Sequence, residues 1–307
     1  MHGLMQEWPL VCHKIIDHAA RQHPNREVVS RSVEGPIVRT TYAGVRDNAR
    51  KIAQLLAREG FQPGDRIATL AWNTGRHLEA WFGIMGMGGV YHTLNPRLFP
   101  EQIAWIMNHA SDRAIFADLT FMPLVEKLAP SVESLRKVIV MTDAAHMPET
   151  ALPNVVSYEE WLDEADGDFE WADVGEDAAC GMCYTSGTTG EPKGVVYHHR
   201  GAYLNALGNA LAWSMPAHPV YLWTLPMFHC NGWCYTWGVT ALGGRHVCLR
   251  ANQPAEIFRL IREEKISHFC AAPTVLIGLA NDPAAKEGPF PQPVTIMTAG
   301  APPSPPI

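Results

Sequence analysis

The sequence has little of what marks a nucleic-acid-binding or membrane protein. Charged residues make up only 18% of its 307 residues, and the formal net charge is −7. Since there is no basic block, nothing in the chain attracts nucleic acid by long-range electrostatics. The longest uncharged apolar run, residues 80–91, is too short to cross a bilayer and predicts a buried helix. We therefore expect neither a nucleic-acid partner nor a membrane span.

Cysteine is scarce as well, and the 7 cysteines do not form the pattern of a small disulfide-rich domain. The spacings of Cys180 with Cys183 and of Cys230 with Cys234 could suggest zinc. The first pair lies in a strand-like run, where alternate side chains point to opposite faces, and the second lies in an aromatic-rich apolar segment. Buried thiols are the better interpretation. The first ten residues also lack a secretory signal, so we expect a cytoplasmic protein.

Hydrophobic residues, by contrast, are plentiful. Their share of 47% suffices for a large core and for two subdomains. Strand-like and helical spacings alternate along the chain, which favours an α/β fold of mostly parallel sheets covered by helices. Residues 142–176 are polar, acidic and rich in turn formers, and we interpret them as a connection. The sequence therefore predicts a first α/β subdomain at 1–165 and a second, truncated one with a phosphate loop at 166–307.

The apolar spacing and the turn residues also predict individual elements. A helix capped by Thr41 is expected to end at Gly60. The other predicted helices are 10–20, 75–87, 100–109, 120–128, 158–162, 200–212, 232–242, 254–264 and 273–280. The predicted strands are 28–30, 37–40, 66–71, 114–117, 137–141, 178–185, 194–198, 220–225, 246–249, 267–271 and 294–298.

One segment carries most of the functional information. Residues 184–195 read YTSGTTGEPKGV and directly follow a predicted strand. Glycines let backbone N–H groups approach an oxyanion, hydroxyl groups can donate to phosphate oxygens or bind Mg²⁺, and Lys193 adds a mobile positive charge. The segment therefore predicts a polyphosphate clamp. It is not a Walker A loop, because Lys193 stands between Pro192 and Gly194. An ordinary NTPase or kinase and a plain polar linker are the weaker interpretations.

This run resembles the signature of the adenylate-forming superfamily: acyl-CoA synthetases, luciferases and the adenylation domains of peptide synthetases. The resemblance covers essentially the whole chain, because further segments stand in the family order. These are 41–42, 64–67, 88–90, 94–96, 225–229 with Gly232, and 298–303. The resemblance implies the N-terminal part of an acyl-CoA synthetase, with the C-terminal domain absent. Relatives carry a Tyr-Gly-x-Thr-Glu motif, a ribose-binding Asp and a catalytic Lys beyond this point, so the 307-residue chain is expected to lack adenylation activity by itself.

The resemblance also implies roles for single residues. His229 and Lys193 match catalytic positions, His229 near the substrate carboxylate, although a structural histidine is the alternative there. Thr188 matches a Mg²⁺ ligand. Gly300, Ala301 and Pro302 match the loop that contacts adenine and lines the acyl site. The residues that match the loop around the β- and γ-phosphates of ATP are Thr185, Ser186, Gly187, Thr188, Thr189, Gly190 and Lys193.

The implied reaction has two steps. A carboxylic acid and ATP give an acyl-adenylate and pyrophosphate, and the coenzyme A thiol then displaces AMP to give a thioester. ATP, Mg²⁺ and coenzyme A are the implied cofactors and co-substrates. Residues 226–233, PMFHCNGW, look most like those of fatty-acyl and short- or medium-chain acyl-CoA ligases, including the methylthiopropionate-activating group.

Three alternatives stay open at this stage. The protein can be a non-catalytic nucleotide-binding fragment, an unstable remnant, or an adenylation domain that passes the acyl group to another acceptor. A homodimer is compatible with the sequence, which does not determine the oligomeric state.

Overall fold

The structure, a computed structural model, describes residues 1, 3–185 and 191–301. They form two mostly parallel β-sheets covered by helices, which confirms the predicted α/β fold. The strands are β1 Glu27–Arg31, β2 Ile37–Thr41, β3 Arg66–Leu70, β4 Val90–Thr93, β5 Ala114–Ala117, β6 Lys137–Val140, β7 Val155–Ser157, β8 Ala179–Thr185, β9 Lys193–His198, β10 Val220–Trp223, β11 Arg245–Cys248, β12 His268–Ala271 and β13 Thr295–Thr298. The helices are α1 Lys14–Gln22, α2 Tyr42–Arg58, α3 Gly75–Gly86, α4 Pro100–Ala110, α5 Met122–Leu128, α6 Tyr158–Asp163, α7 His199–Ala212, α8 Tyr235–Ala241, α9 Pro254–Glu263 and α10 Pro273–Asn281.

Each sheet carries one antiparallel strand at an edge and is otherwise parallel. The seven-stranded sheet has the order β7-β6-β5-β3-β4-β8-β9, and only β8 and β9 pair antiparallel. The six-stranded sheet has the order β13-β12-β10-β11-β1-β2, and only β1 and β2 pair antiparallel. Long crossovers join the parallel strands, as such pairings require, and most of them contain an α-helix; the crossover between β6 and β7 has only a short 3-10 turn.

Neither sheet is built from one contiguous half of the chain. Strand β1 pairs with β11 through Val28 and His246, and β4 pairs with β8 through Tyr91 and Gly181. The two sheets therefore do not correspond to the two predicted subdomains, because each sheet contains strands from both sides of residue 165. The polar composition of 142–176 marks a connection, but it carries no information about which strands pair across it.

The prediction missed two strands. Strand β4 is buried at all four positions, so it shows no alternation of apolar and polar residues and follows the Gly88-Gly89 turn without a break. Strand β7 has three residues and lies inside the segment that we predicted to be a connection. Both strands form because of the strands they pair with, and the residues of each show no clear strand pattern by themselves.

Helix α3 occupies the centre of the larger core. It buries 11 of its 12 residues, partly against α2. Glycine permits this approach, because a Cβ at Gly83 would lie 2.6 Å from the Cβ of Ile52 and one at Gly86 would lie 2.2 Å from the ring of Trp171. Thr41 caps α2 as predicted, with its side chain accepting from the Gly44 N–H at 3.3 Å.

No helix in the described ranges combines the length and the apolar character that crossing a bilayer would take.

Candidate functional site

The β8–β9 hairpin presents both ends of the predicted phosphate loop. Strand β8 is buried from Cys180 to Cys183 and becomes exposed only at Thr185, its last residue. Thr185 pairs directly with Lys193, the first residue of β9, which is also exposed. Five predicted residues of the loop, Ser186, Gly187, Thr188, Thr189 and Gly190, lie outside the described residues, so their phosphate contacts and the Mg²⁺ role of Thr188 stay predictions.

A cavity of about 220 Å³ lies next to the end of β8. It brings together two of the predicted site residues, Thr185 and His229. The remaining wall comes from the end of β4 and the segment after it, the first turns of α4, strand β8 and the residues on either side of His229, and it is mostly apolar. That wall includes Leu94, Leu98, Ile103 and Ile106. The cavity therefore combines a few polar groups with an apolar lining, as small-molecule sites do.

His229 lines this cavity and is exposed to solvent. Its backbone N–H donates to the Pro226 carbonyl at 3.2 Å, which closes a tight turn after the Pro-Met-Phe segment. Partial burial of the ring and the positive charge of Arg97 lower the pKa of His229 below its usual value. The imidazole is therefore mostly neutral near pH 7, so it can form a hydrogen bond with the carboxyl group of a substrate without adding a charge to the site.

The backbone immediately after His229 is strained. Five consecutive residues, 230–234, have positive φ angles of 45°, 37°, 56°, 52° and 64°, and four of them are not glycine. The helix predicted from residue 232 therefore begins only at Tyr235. Left-handed backbone costs about 1–2 kcal/mol for each non-glycine residue. Strain of this kind persists only where the surroundings enforce it, and it concentrates at functional sites.

Side-chain amides hold this left-handed turn in place. The Thr93 hydroxyl donates to Asn231 Oδ1 at 3.0 Å, and Asn231 Nδ2 donates to the Met182 carbonyl at 3.3 Å. Asn209 Nδ2 donates to the Trp233 carbonyl at 2.9 Å. These bonds attach the turn to β4, β8 and α7. The adjacent Asn231-Gly232 pair was the available sequence signal, since Asn and Gly tolerate left-handed backbone best.

The second predicted loop lies at the carboxyl end of β13. Gly300 and Ala301 are exposed there, and Gly300 has a φ of 94°. They do not line the cavity that holds Thr185 and His229. One contact connects the two regions, because the Tyr235 hydroxyl reaches the sulfur of Met297 at 3.2 Å. Pro302 lies outside the described residues, and the adenine role of this loop stays a prediction.

Sequence reasoning missed a buried histidine in the cavity wall. His92 and Asp112 are both fully buried, and His92 Nδ1 lies 2.8 Å from a carboxylate oxygen of Asp112. Burial raises the pKa of Asp112. A carboxylate oxygen accepts, so Nδ1 of His92 carries the proton in this contact. His92 Nε2 has no hydrogen-bond partner among the residues described. Neither residue stood in a motif, so no sequence signal separated them from other core positions.

Asn73, also missed, joins the two sheets beside the cavity. It follows β3 of the seven-stranded sheet, and its Nδ2 contacts three carbonyl oxygens near the ends of β10 and β11 at 2.9–3.1 Å. Its Oδ1 accepts from the Met227 N–H at 2.7 Å. A second cavity of about 210 Å³ lies there, on the other side of Phe228, with Arg97 and Arg250 in its lining. Neither arginine forms a salt bridge with another described residue.

Mostly parallel sheets covered by helices, with Thr185, at one end of a Gly/Ser/Thr-rich segment, beside a mostly apolar cavity, are typical of a nucleotide-binding protein of the α/β class. The chain belongs to the AMP-binding enzyme family, whose model matches residues 16–307. It is 38% identical over 289 residues to a 3-methylmercaptopropionyl-CoA ligase of Ruegeria pomeroyi, covering 93% of this chain and 54% of that protein. It is 37% identical to a medium-chain-fatty-acid–CoA ligase of Ectopseudomonas oleovorans, covering 91% and 52%.

A third relative is an acetate/butyrate–CoA ligase of Arabidopsis thaliana, at 40% identity, covering 95% of this chain and 53% of that protein. Among solved structures, the N-terminal domain of FACL13 from Mycobacterium tuberculosis superposes with a TM-score of 0.82 at 23% identity, covering 96% of this chain and 71% of that one. This likeness confirms the fold. The chain spans about half the length of the curated relatives it matches.

Proposed function

We propose that the protein to which this chain belongs activates a carboxylic acid with ATP and transfers the acyl group to coenzyme A, releasing pyrophosphate and AMP. One observation carries the proposal: Thr185 and Lys193 face each other at the two ends of the phosphate loop, and Thr185 shares a cavity with His229. Membership of the AMP-binding enzyme family and the ligase names of the relatives support it.

The chemistry explains why these residue types are needed. When a carboxylate attacks the α-phosphate of ATP, two anions must approach each other. A cation and oriented backbone amides offset that repulsion in the transition state. Lys193 is exposed and forms no salt bridge with another described residue, so its charge is available for this purpose. Mg²⁺ would add to the same charge compensation, with Thr188 as its proposed ligand.

The cavity supports an acid of short or medium chain length. Its apolar wall suits an alkyl or thioether chain, and neutral His229 in the cavity lining suits the carboxylate end. The named acids of the three relatives, from acetate to medium-chain fatty acids and 3-methylmercaptopropionate, belong to the same class. The cytoplasmic location and a homodimer remain predictions.

ATP–pyrophosphate exchange tests the proposal. The assay would use this chain and the longest natural protein that contains it, with acids from acetate to decanoate and with 3-methylthiopropionate. We expect acid-dependent exchange in the longer protein. Lys193→Ala should lower the exchange rate by about 100-fold, because removing one transition-state contact typically has this effect. Lys193→Arg should recover part of it, and Lys286→Ala, at an exposed lysine remote from the cavity, serves as the matched control.

Two results would redirect the proposal. If neither protein shows acid-dependent exchange but both bind ATP, and Lys193→Ala weakens that binding, the nucleotide-binding alternative replaces the ligase. If exchange occurs but no acyl-CoA forms when coenzyme A is added, the protein passes its acyl group to another acceptor. Analysis of the thioester product by mass spectrometry separates these outcomes.

A further inference from the structure

A cluster of soft metal-ligating groups lies in the core, apart from the cavity. The thiols of Cys12 and Cys180 and a ring nitrogen of His199 all lie within 4.8 Å of one another. Cys12 and Cys180 are 0% exposed and His199 is 1% exposed. The three come from distant parts of the chain: the segment before α1, strand β8, and the first residue of α7. Only Cys180 belongs to a pair whose spacing in the sequence suggested zinc.

The contacts within the cluster fix the state of the histidine. The Cys12 backbone N–H donates to His199 Nδ1 at 3.1 Å, and the Cys12 thiol lies 3.4 Å from the His199 carbonyl oxygen. Because Nδ1 accepts this bond, it carries no proton and has the lone pair that a metal ligand needs.

Polar atoms around the cluster lack partners. His199 Nε2, His13 Nδ1 and the Tyr91 hydroxyl are buried, and each has no hydrogen bond to another part of the described chain. The rings of His13 and His199 meet edge to face, with centroids 5.4 Å apart. An unpaired buried polar group costs about 1–3 kcal/mol. Several such groups around two thiols and an imidazole point to a ligand that binds among them.

The donor set selects the kind of ligand. Two thiols and an imidazole without a carboxylate favour a thiophilic ion over Mg²⁺ or Ca²⁺. A fully buried site also favours zero net charge, because a buried net charge is costly. Two thiolates neutralise a divalent ion, whereas they would leave a monovalent ion such as Cu⁺ with a net charge of −1.

We propose that Cys12, Cys180 and His199 form a buried structural zinc site. On binding, Zn²⁺ forms two bonds to sulfur and one to nitrogen, and the two thiols release two protons. The bond to nitrogen replaces the Cys12 N–H···Nδ1 hydrogen bond if the ion binds at Nδ1. The candidate for a fourth ligand is the Tyr91 hydroxyl, which is buried and lies beside Gly181, the residue that follows Cys180.

The site has a clear structural consequence. Cys180 lies five positions before Thr185 on the same strand, and His199 directly follows β9, the strand that begins with Lys193. Zinc would therefore fasten the N-terminal segment to the base of the hairpin that carries the phosphate loop.

Metal titration of the purified chain tests the site directly. The chain would be purified under reducing conditions, freed of metal with a chelator, and titrated with Co²⁺ as an optical substitute for zinc. We expect one ion per chain, a thiolate-to-cobalt charge-transfer band, and displacement of cobalt by zinc. Zinc should raise the Tm by about 5 °C when it is in excess over its Kd. Native mass spectrometry would confirm the stoichiometry.

Variants then locate the ion. Cys180→Ser should abolish the charge-transfer band and the Tm shift. The matched control is Cys248→Ser, which changes another buried thiol, on β11 of the other sheet, and should keep both the charge-transfer band and the Tm shift. Titration of the unaltered chain decides the matter if the Cys180 variant does not fold.

Four outcomes would overturn the proposal. The first is a wild-type chain that binds neither cobalt nor zinc at micromolar concentrations. The second is equal binding by wild type, Cys12→Ser and Cys180→Ser. The third is stoichiometric binding of Cu⁺ without any binding of zinc. The fourth is a mass two hydrogens lower with a Cys12–Cys180 disulfide, which would make the pair a redox site instead.

Discussion

Helices α3 and α10 are both rich in apolar residues, but they meet very different surroundings. In α3, beside the seven-stranded sheet, 11 of 12 residues are buried. In α10, beside the six-stranded sheet, Leu279 is the only buried residue of nine. Ile277 of α10 and Ile296 of the neighbouring edge strand β13 are 41% and 43% exposed. A wide apolar cavity of about 800 Å³ opens next to them.

This comparison shows that the stability contributed by an apolar helix depends on how much of its surface the neighbouring elements cover. Helix α3 lies between α2 and the seven-stranded sheet, so nearly every apolar atom leaves water. The free energy of burial scales with that area, at about 25 cal/mol per Å². The apolar sequence of α10 predicts a buried helix equally well, but one side of α10 faces solvent. Sequence hydrophobicity alone therefore does not give the energetic weight of an element.

The largest expected effect comes from truncating matched isoleucines. Ile84 of α3 is 0% exposed, and Ile84→Ala should lower the free energy of unfolding by about 3–4 kcal/mol, because it leaves a cavity in the core. Ile277→Ala in α10 should cost less than about 1 kcal/mol. Urea denaturation of both variants measures the difference. Equal losses would mean that the exposed face of α10 is covered in solution.

A smaller effect is expected at the junction between the sheets. Asn73→Ala removes an amide that contacts three carbonyl oxygens and the Met227 N–H, and it leaves these buried groups without that partner, so it should cost about 2–3 kcal/mol. Asn281→Ala is the control, since exposed Asn281 makes a single contact to its own helix at 2.8 Å. Its cost should stay below about 0.5 kcal/mol. A Tm loss at Asn73 no larger than at Asn281 would contradict a junction role.

The smallest effect concerns pH. Burial raises the pKa of Glu79 in α3 to about 7, and its carboxyl group accepts from the Tyr158 hydroxyl at 2.6 Å. Because this folded pKa exceeds the unfolded value, the folded state binds more protons between the two. Stability from this group is thus full at acid pH and is lost as pH rises through about 7.

In the Glu79→Gln variant, the free energy of unfolding should therefore fall by about 1–2 kcal/mol less between pH 5 and 8 than it does in wild type. Glu101→Gln, at an exposed position of α4, should leave the profile unchanged. Chemical denaturation at several pH values measures both. A Glu79→Gln profile as steep as that of wild type would show that another group is responsible.

Much of the fold could be predicted from periodicity and turn residues, because these act locally. The bounds of β5 were predicted to the residue, and the cap of α2 was predicted from Thr41. Strand β4 could not be found, since burial on both faces removes the alternation that marks a strand. The pairing of β1 with β11 was also beyond the sequence, because pairing depends on where the chain returns in space.

The candidate site likewise contains residues that a local sequence pattern predicts and residues that only the folded structure brings together. A long local motif predicted Thr185 and Lys193, and the structure puts them opposite each other. Hydrogen bonds to three other elements, β4, β8 and α7, hold the left-handed turn at 230–234, so a local helical pattern gave the wrong start for α8. His92 and Asp112 come into contact only through tertiary packing, and no spacing along the chain indicates this contact.

The pairing of β1 with β11 also has a consequence for protein synthesis. Val28 pairs with His246, so 218 residues separate the partners (246 − 28). The β1–β2 hairpin leaves the ribosome early but meets its parallel neighbour only after most of the chain has emerged. At about 5–20 residues per second, the wait is about 10–40 s. Through that interval the edge of β1 that pairs with β11 has no native partner, and an unpaired strand edge of this kind can pair with other chains.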